Sequence, residues 1–118
     1  MAYIGHNGLM DFPLPAEATT ARGAGRDAIV LCCMSQRYFT SSLEKVGAHP
    51  ILTTTQLMYP GAFIPRDALA GWTRAESPTQ IRQRAGAAYA RNQGISAKAG
   101  SGVFSAIGTP AVGIGKPD

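Results

Sequence analysis

Apolar positions in this chain follow two rhythms, short unbroken runs and spacings of three and four. The unbroken runs predict strands. One covers about Ala2 to Gly5. A second, Asp27 to Cys33, is continuous rather than alternating, as expected for a strand covered on both faces. A third, Pro50 to Thr55, contains a β-branched stretch and ends at Gln56. Between the first two runs lie Gly8, Pro13, Pro15 and the small residues from Ala16 to Gly25, which predict a loop.

The wider spacings predict helices. Tyr38, Phe39, Leu43 and Val46 share one face, and Gly47 supplies a stop. Phe63, Leu69 and Trp72 predict a helix reaching to about Arg74, with Pro60 near its start. Pro65 must then sit in its first turn, where a missing amide hydrogen costs nothing, or the helix begins only at that point. The clearest helix is Pro78 to Gln93. Ser77 is a good N-cap, Pro78 suits the first helical position, and Gly94 ends the run. Its Ile81, Ala85, Ala88, Tyr89 and Asn92 form one face, and Arg84 and Arg91 another. Ile95 to Phe104 predicts a weak last turn or two, since Gly100 and Gly102 oppose helix.

Strand, loop, strand, helix, strand, helix, helix implies an α/β fold, with a small, mostly parallel three-stranded sheet and flanking helices. Residues 1–104 form a single domain on this reading, and 105–118 a flexible Gly/Pro-rich tail. So small a sheet leaves a long apolar edge, and such edges are usually paired or covered. A homo-oligomer, or a complex that completes the sheet, is therefore expected.

Composition adds bounds. A chain of 118 residues, 45% hydrophobic and 15% charged, fits one globular domain with a real core. The net charge of +4 lies mostly in the second half, on Arg66, Arg74, Arg82, Arg84, Arg91, Lys98 and Lys116. These cations are spread out without interleaved aromatics, so they read as solvated helix faces. A nucleic-acid-binding module rests on the arginines alone. No apolar run approaches membrane-spanning length, and no leader-like segment opens the chain, so no membrane partner and a cytoplasmic location are expected. Cys32, Cys33, His6 and His49 match no zinc spacing, and adjacent cysteines argue against a disulfide framework. Neither metal nor cofactor is expected. His49, just before Pro50, reads as structural.

The chemistry gathers at two strand ends. Active sites in open α/β sheets lie outside the carboxyl ends of the strands. His6 and Cys33 would therefore share a rim on neighbouring strands, and a thiol beside an imidazole is the minimal kit for nucleophilic catalysis. Asp11 and Glu17 are near enough in sequence to orient the imidazole. Thr53-Thr54-Thr55 reads as strand material or as a lining of the same rim.

A strand ending in His with a nearby Gly, then one ending in a small residue, Cys, any residue and Ser, resembles the caspase-like cysteine peptidases. That group includes caspases, legumains, clostripain-like enzymes and separases. The matching pieces are Ile4-Gly5-His6-Asn7-Gly8 and Ile29-Val30-Leu31-Cys32-Cys33-Met34-Ser35, within the stretch from Ala2 to Thr55. The resemblance implies a truncated caspase-like domain acting as a cysteine hydrolase on peptide bonds. Cys33 would be the nucleophile and His6 the general acid/base. Amides near Asn7 and Gly8 would hold the oxyanion, Ser35 would complete the motif, and Cys32 would point into the sheet. The family has Gly directly after its His, whereas Asn7 intervenes here. The alternative is a non-catalytic interaction or inhibitor protein that binds another chain through the exposed sheet edge. The chain's length, and its start on the His strand, favour that alternative.

Overall fold

The computed structural model describes residues 1–15 and 25–106. Strand β1 (Ala2–Ile4) leads through a short 3-10 turn at Gly8–Met10 towards β2 (Arg26–Leu31). Helix α1 (Ser35–Lys45) connects β2 to β3 (Ala48–Thr54). Helices α2 (Phe63–Thr73), α3 (Pro78–Gln93) and α4 (Ala97–Gly102) then precede β4 (Phe104–Ser105).

The four strands lie in the order β1-β2-β3-β4. The first three are parallel and β4 runs antiparallel to β3, pairing Thr53 with Ser105 and Thr54 with Phe104. The sheet is thus four-stranded and mixed, not three-stranded and mostly parallel. The fourth strand is only two residues long, too short to carry a periodic signal. Ser105 and Ala106, which the sequence pattern assigns to the tail, are buried against the core. Residues 107–118 of that tail, and Glu17, lie outside the described residues.

The period of two along β2 sorts its side chains into two layers. Ala28, Val30 and Cys32 join Leu43 and Ala48 under α1, with Phe39 and Val46 packed alongside. Ile29 and Leu31 face the other way, into a larger cluster with Ile64, Ala68, Ile81, Ala85, Tyr89 and Phe104. Cys33 packs at the margin of that second cluster. Both faces of the central strands are therefore covered, which explains the unbroken apolar run.

Local chemistry explains the element ends. Helix α3 keeps the predicted limits, because Ser77 and Gln80 form a reciprocal capping box and Gly94 takes the left-handed conformation at φ 68°. Pro65 falls within the first turn of α2, where it is tolerated. Strand β3 starts at Ala48, before Pro50. The register with β2 slips between Ala28 and Ile29, so Pro50 sits at a bulge where its missing N–H does little harm. Helix α1 starts at Ser35, three residues before the apolar periodicity begins, and has no side-chain N-cap of its own. Gly86 and Gly100 let α3 and α4 pack backbone to backbone: a β-carbon on Gly86 would lie 2.6 Å from Ser101 Cα, and one on Gly100 2.4 Å from the Gly86 carbonyl oxygen. The glycine that opposes helix in the sequence thus permits the close approach that seats it.

One edge of the sheet is β1, where Ala2 and Tyr3 are exposed. That edge is three residues long, shorter than the sequence leads one to expect.

Candidate active site

Parallel pairing of β1 with β2 sets Ala2 opposite Ile29, Tyr3 opposite Val30 and Ile4 opposite Leu31. The Gly5 amide extends the ladder by donating to the Leu31 carbonyl at 3.1 Å. Past that point both strands end, and the chain turns away from the sheet at His6 and at Cys33. The carboxyl-end rim therefore carries both residues, one on each of two adjacent loops.

The first loop exposes His6 and hides its neighbour. The His6 side chain is 74% exposed, and its Nε2 lies 2.7 Å from Asp11 Oδ2. An exposed pair of this kind is worth little to stability. It does orient the ring, leaving Nδ1 as the nitrogen for other work. The Tyr3 hydroxyl donates to the His6 carbonyl at 2.9 Å. Asn7 is fully buried. Its Nδ2 donates to the Cys33 carbonyl at 2.7 Å, and its Oδ1 accepts from the Leu9 amide at 2.9 Å, capping the turn at Gly8–Met10.

The second loop is a tight turn. Met34 adopts φ 55°, a left-handed conformation that costs a residue with a β-carbon roughly 1–2 kcal/mol. The turn survives because its surroundings over-determine it. The Met34 amide donates to the Gln56 carbonyl at 3.0 Å. Ser35 and Thr54, both fully buried, clasp each other. Ser35 Oγ donates to the Val30 carbonyl at 2.7 Å and accepts from the Thr54 amide at 2.8 Å. Thr54 Oγ1 accepts from the Ser35 amide at 3.0 Å and donates to the Cys32 carbonyl.

The two thiols are consequently unlike. Cys32 is fully buried on the α1 side, and burial, with the neighbouring Cys33 second, pushes its thiol up to about 11. Cys33 is half-buried. The Met58 amide donates to Cys33 Sγ at 3.5 Å, and the Met58 carbonyl oxygen lies 3.7 Å from the same sulfur. The segment after β3 therefore lies against the thiol. The Tyr89 hydroxyl anchors it by accepting from the Tyr59 amide at 3.0 Å.

Of the residues singled out in the sequence, His6, Asn7, Gly8 and Cys33 lie on the two loops that leave this rim, and among them the Asn7 side chain is bonded across to the Cys33 carbonyl. Ser35 lies beneath the rim, with its hydroxyl wholly engaged, so it has no face towards a ligand. Thr53 and Thr54 are likewise buried rather than rim-lining, and Thr55 Oγ1 donates to the Gly102 carbonyl at 2.7 Å. No hydrogen bond among the described residues joins the His6 imidazole to the Cys33 thiol; Asp11 and Met58 are their partners. The Met58 contact carries no sequence signal, since it depends on a loop packing back from beyond β3. No group of three His, Cys, Asp or Glu side chains among the described residues is placed to hold a metal ion, and no described helix is long and apolar enough to cross a membrane.

At the opposite, amino end of the strands, Met1, Ala2, Ile29, Leu69 and Trp72 help line a cavity of about 80 Å³. Trp72 Nε1 donates to Asp27 Oδ2 at 2.9 Å, and His49 Nδ1 lies 3.6 Å from Asp27 Oδ1. Compared with known proteins, the chain matches no family model, no curated protein and no solved structure.

Proposed function

We propose that this chain is a cysteine hydrolase of caspase-like type that cleaves peptide bonds, with Cys33 as nucleophile and His6 as general acid/base. The observation that carries the reading is the parallel β1–β2 pair, which turns His6 and Cys33 out at the same rim while leaving Cys33 the more accessible of the two thiols. In the reaction His6 takes the Cys33 thiol proton, the sulfur attacks the peptide carbonyl carbon, and the C=O electron pair moves to oxygen. Collapse of that intermediate breaks the C–N bond, and the His6 imidazolium gives its proton to the departing amine. Water then attacks the thioester with His6 taking its proton, which frees the acid and regenerates the thiol. Amides near Asn7 and Gly8 hold the oxyanion, a contribution of about 3 kcal/mol per donor in enzymes of this kind. The exposed His6 ring has room to turn from Asp11 towards bound substrate, and catalytic hydrogen bonds often tighten only in the complex.

The test is the rate of alkylation of each thiol against pH, in the wild type and in His6→Ala. Fast reaction of Cys33 below pH 7 that is lost in the variant supports the dyad; a slow Cys33 indifferent to His6 removes it.

A second reading is favoured by the exposed edge at β1, with Tyr3 48% and Phe12 62% exposed nearby in sequence. On that reading the chain is a non-catalytic interaction or inhibitor protein that pairs its edge with another chain. It predicts a stable dimer or complex with both thiols inert.

A further inference from the structure

Asn7 directly follows the exposed His6, yet it is itself fully buried. A carboxamide in a surface loop is ordinarily left in water. Here each half has an assigned partner, Nδ2 with the Cys33 carbonyl and Oδ1 with the Leu9 amide. The acceptor at Cys33 belongs to the main chain of the candidate nucleophile itself, and the residue covalently before Asn7 is His6. From imidazole to thiol the path therefore runs through one side-chain hydrogen bond of 2.7 Å. The backbone ladder offers no equivalent, because it ends at the bond from the Gly5 amide to the Leu31 carbonyl, before either reacting residue.

We propose that Asn7 is a positioning residue: its buried carboxamide ties the His6 loop to the Cys33 turn and sets the distance at which imidazole and thiol can meet. The proposal rests on the dyad reading above. A glycine after the histidine supplies no such tie, so in this chain the side chain does by hydrogen bonding what a tighter loop would do by geometry. In this role the Asn7 side chain touches no substrate, since none of it reaches the surface; the oxyanion donors proposed above are main-chain amides.

The experiment is a double-substitution cycle on the full chain in a Cys32→Ala background, reading the alkylation rate of Cys33 by iodoacetamide at pH 7. Asn7→Asp is the informative change. It keeps the shape and the acceptor for the Leu9 amide, but faces a carboxylate oxygen to the Cys33 carbonyl. Imidazole-dependent activation of a thiol at neutral pH is commonly worth about tenfold in rate, so His6→Ala is expected to slow alkylation by about that factor. Asn7→Asp is expected to slow it comparably when His6 is present, and by clearly less when His6 is already alanine, the remainder being the new charge's own effect on the thiolate. A purely structural role would not produce that dependence on His6. Equal slowing by Asn7→Asp with and without His6, or no slowing at all, overturns the positioning role. A rate unaffected by His6→Ala overturns the dyad, and the positioning role with it. If Asn7→Asp does not fold, Asn7→Ser is read in the same way: its hydroxyl still caps the Gly8–Met10 turn but is too short to reach the Cys33 carbonyl.

Discussion

Replacing Thr54 by Val changes almost no volume, and the structure makes it one of the most damaging conservative changes available. Thr54 Oγ1 serves two backbone groups at once, the Ser35 amide at the start of α1 and the Cys32 carbonyl at the end of β2. Both belong to fully buried residues, so water does not replace the lost partner. A buried donor or acceptor left unpaired costs about 1–3 kcal/mol, so two of them set an expected loss of about 3 kcal/mol for Thr54→Val. Thr54→Ser keeps the hydroxyl and removes one methyl group, a loss of about 1 kcal/mol. The expected order of stability is therefore wild type, Ser, Val, with the most hydrophobic of the three side chains the least stable. Urea unfolding at equal m-values measures it through the midpoint. Cys32 alkylation supplies a local readout, because a loosened turn exposes a thiol that the native state hides. If Thr54→Val unfolds at the same urea concentration as Thr54→Ser or higher, the hydroxyl clasp does not hold the turn and the argument fails.

Two further outcomes follow from packing and from ionisation. Gly86→Ala pushes a methyl group to 2.6 Å from Ser101 Cα, and overpacking of this kind costs about 1–3 kcal/mol, more than the roughly 1 kcal/mol that alanine gains in helix propensity; its Tm is expected to fall, while Gly102→Ala, whose new methyl meets nothing within 4 Å, holds or raises it. Cys32 stays neutral in the fold until about pH 11, while an unfolded thiol ionises near 8.5, so its contribution of about 3 kcal/mol is complete below pH 8.5 and is lost as pH climbs to 11. Urea midpoints at pH 8 and pH 10.5 should accordingly fall further in the wild type than in Cys32→Ala, and equal falls contradict the buried neutral thiol.

What could be read from the sequence was whatever local chemistry decides. Helix α3 carries its own start and stop signals in Ser77, Gln80 and Gly94, and its limits agree with the structure residue for residue. Strand β2 is a continuous apolar run and was legible in place but not in its limits, since it spans Arg26–Leu31 and ends two residues before Cys33. Helix α1 was legible only from Tyr38 because its true start is fixed from a distance, by Thr54, nineteen positions after Ser35. Strand β4 was invisible for a related reason. Two residues have no period, and Phe104 becomes a strand by closing the free side of β3 and by setting its ring at 85° to Tyr89 across 5.8 Å.

The candidate site divides along the same line. That Cys32 and Cys33 fall on opposite faces follows from the alternation of β2, since Cys32 continues the face of Ala28 and Val30 and Cys33 that of Ile29 and Leu31. The alternation is legible without a partner, but both faces of β2 are covered, so it does not say which thiol opens to the rim; the inward turn of Cys32 was what the resemblance implied. The hydroxyls and the carboxamide are another matter. Ser35, Thr54 and Asn7 are all polar residues near strand ends, the composition expected of a substrate-facing rim, yet all three are turned inward to satisfy backbone groups that the turns leave unpaired. A tight turn at a sheet rim orphans carbonyls and amides, and buried side chains must answer them before any side chain is free to face a ligand. Polar residues at such a rim are therefore first candidates for holding it together. His6 is the one whose exposure leaves it free of that duty, and this is the physical reason for taking the imidazole, together with the half-buried Cys33, as the place to look for chemistry.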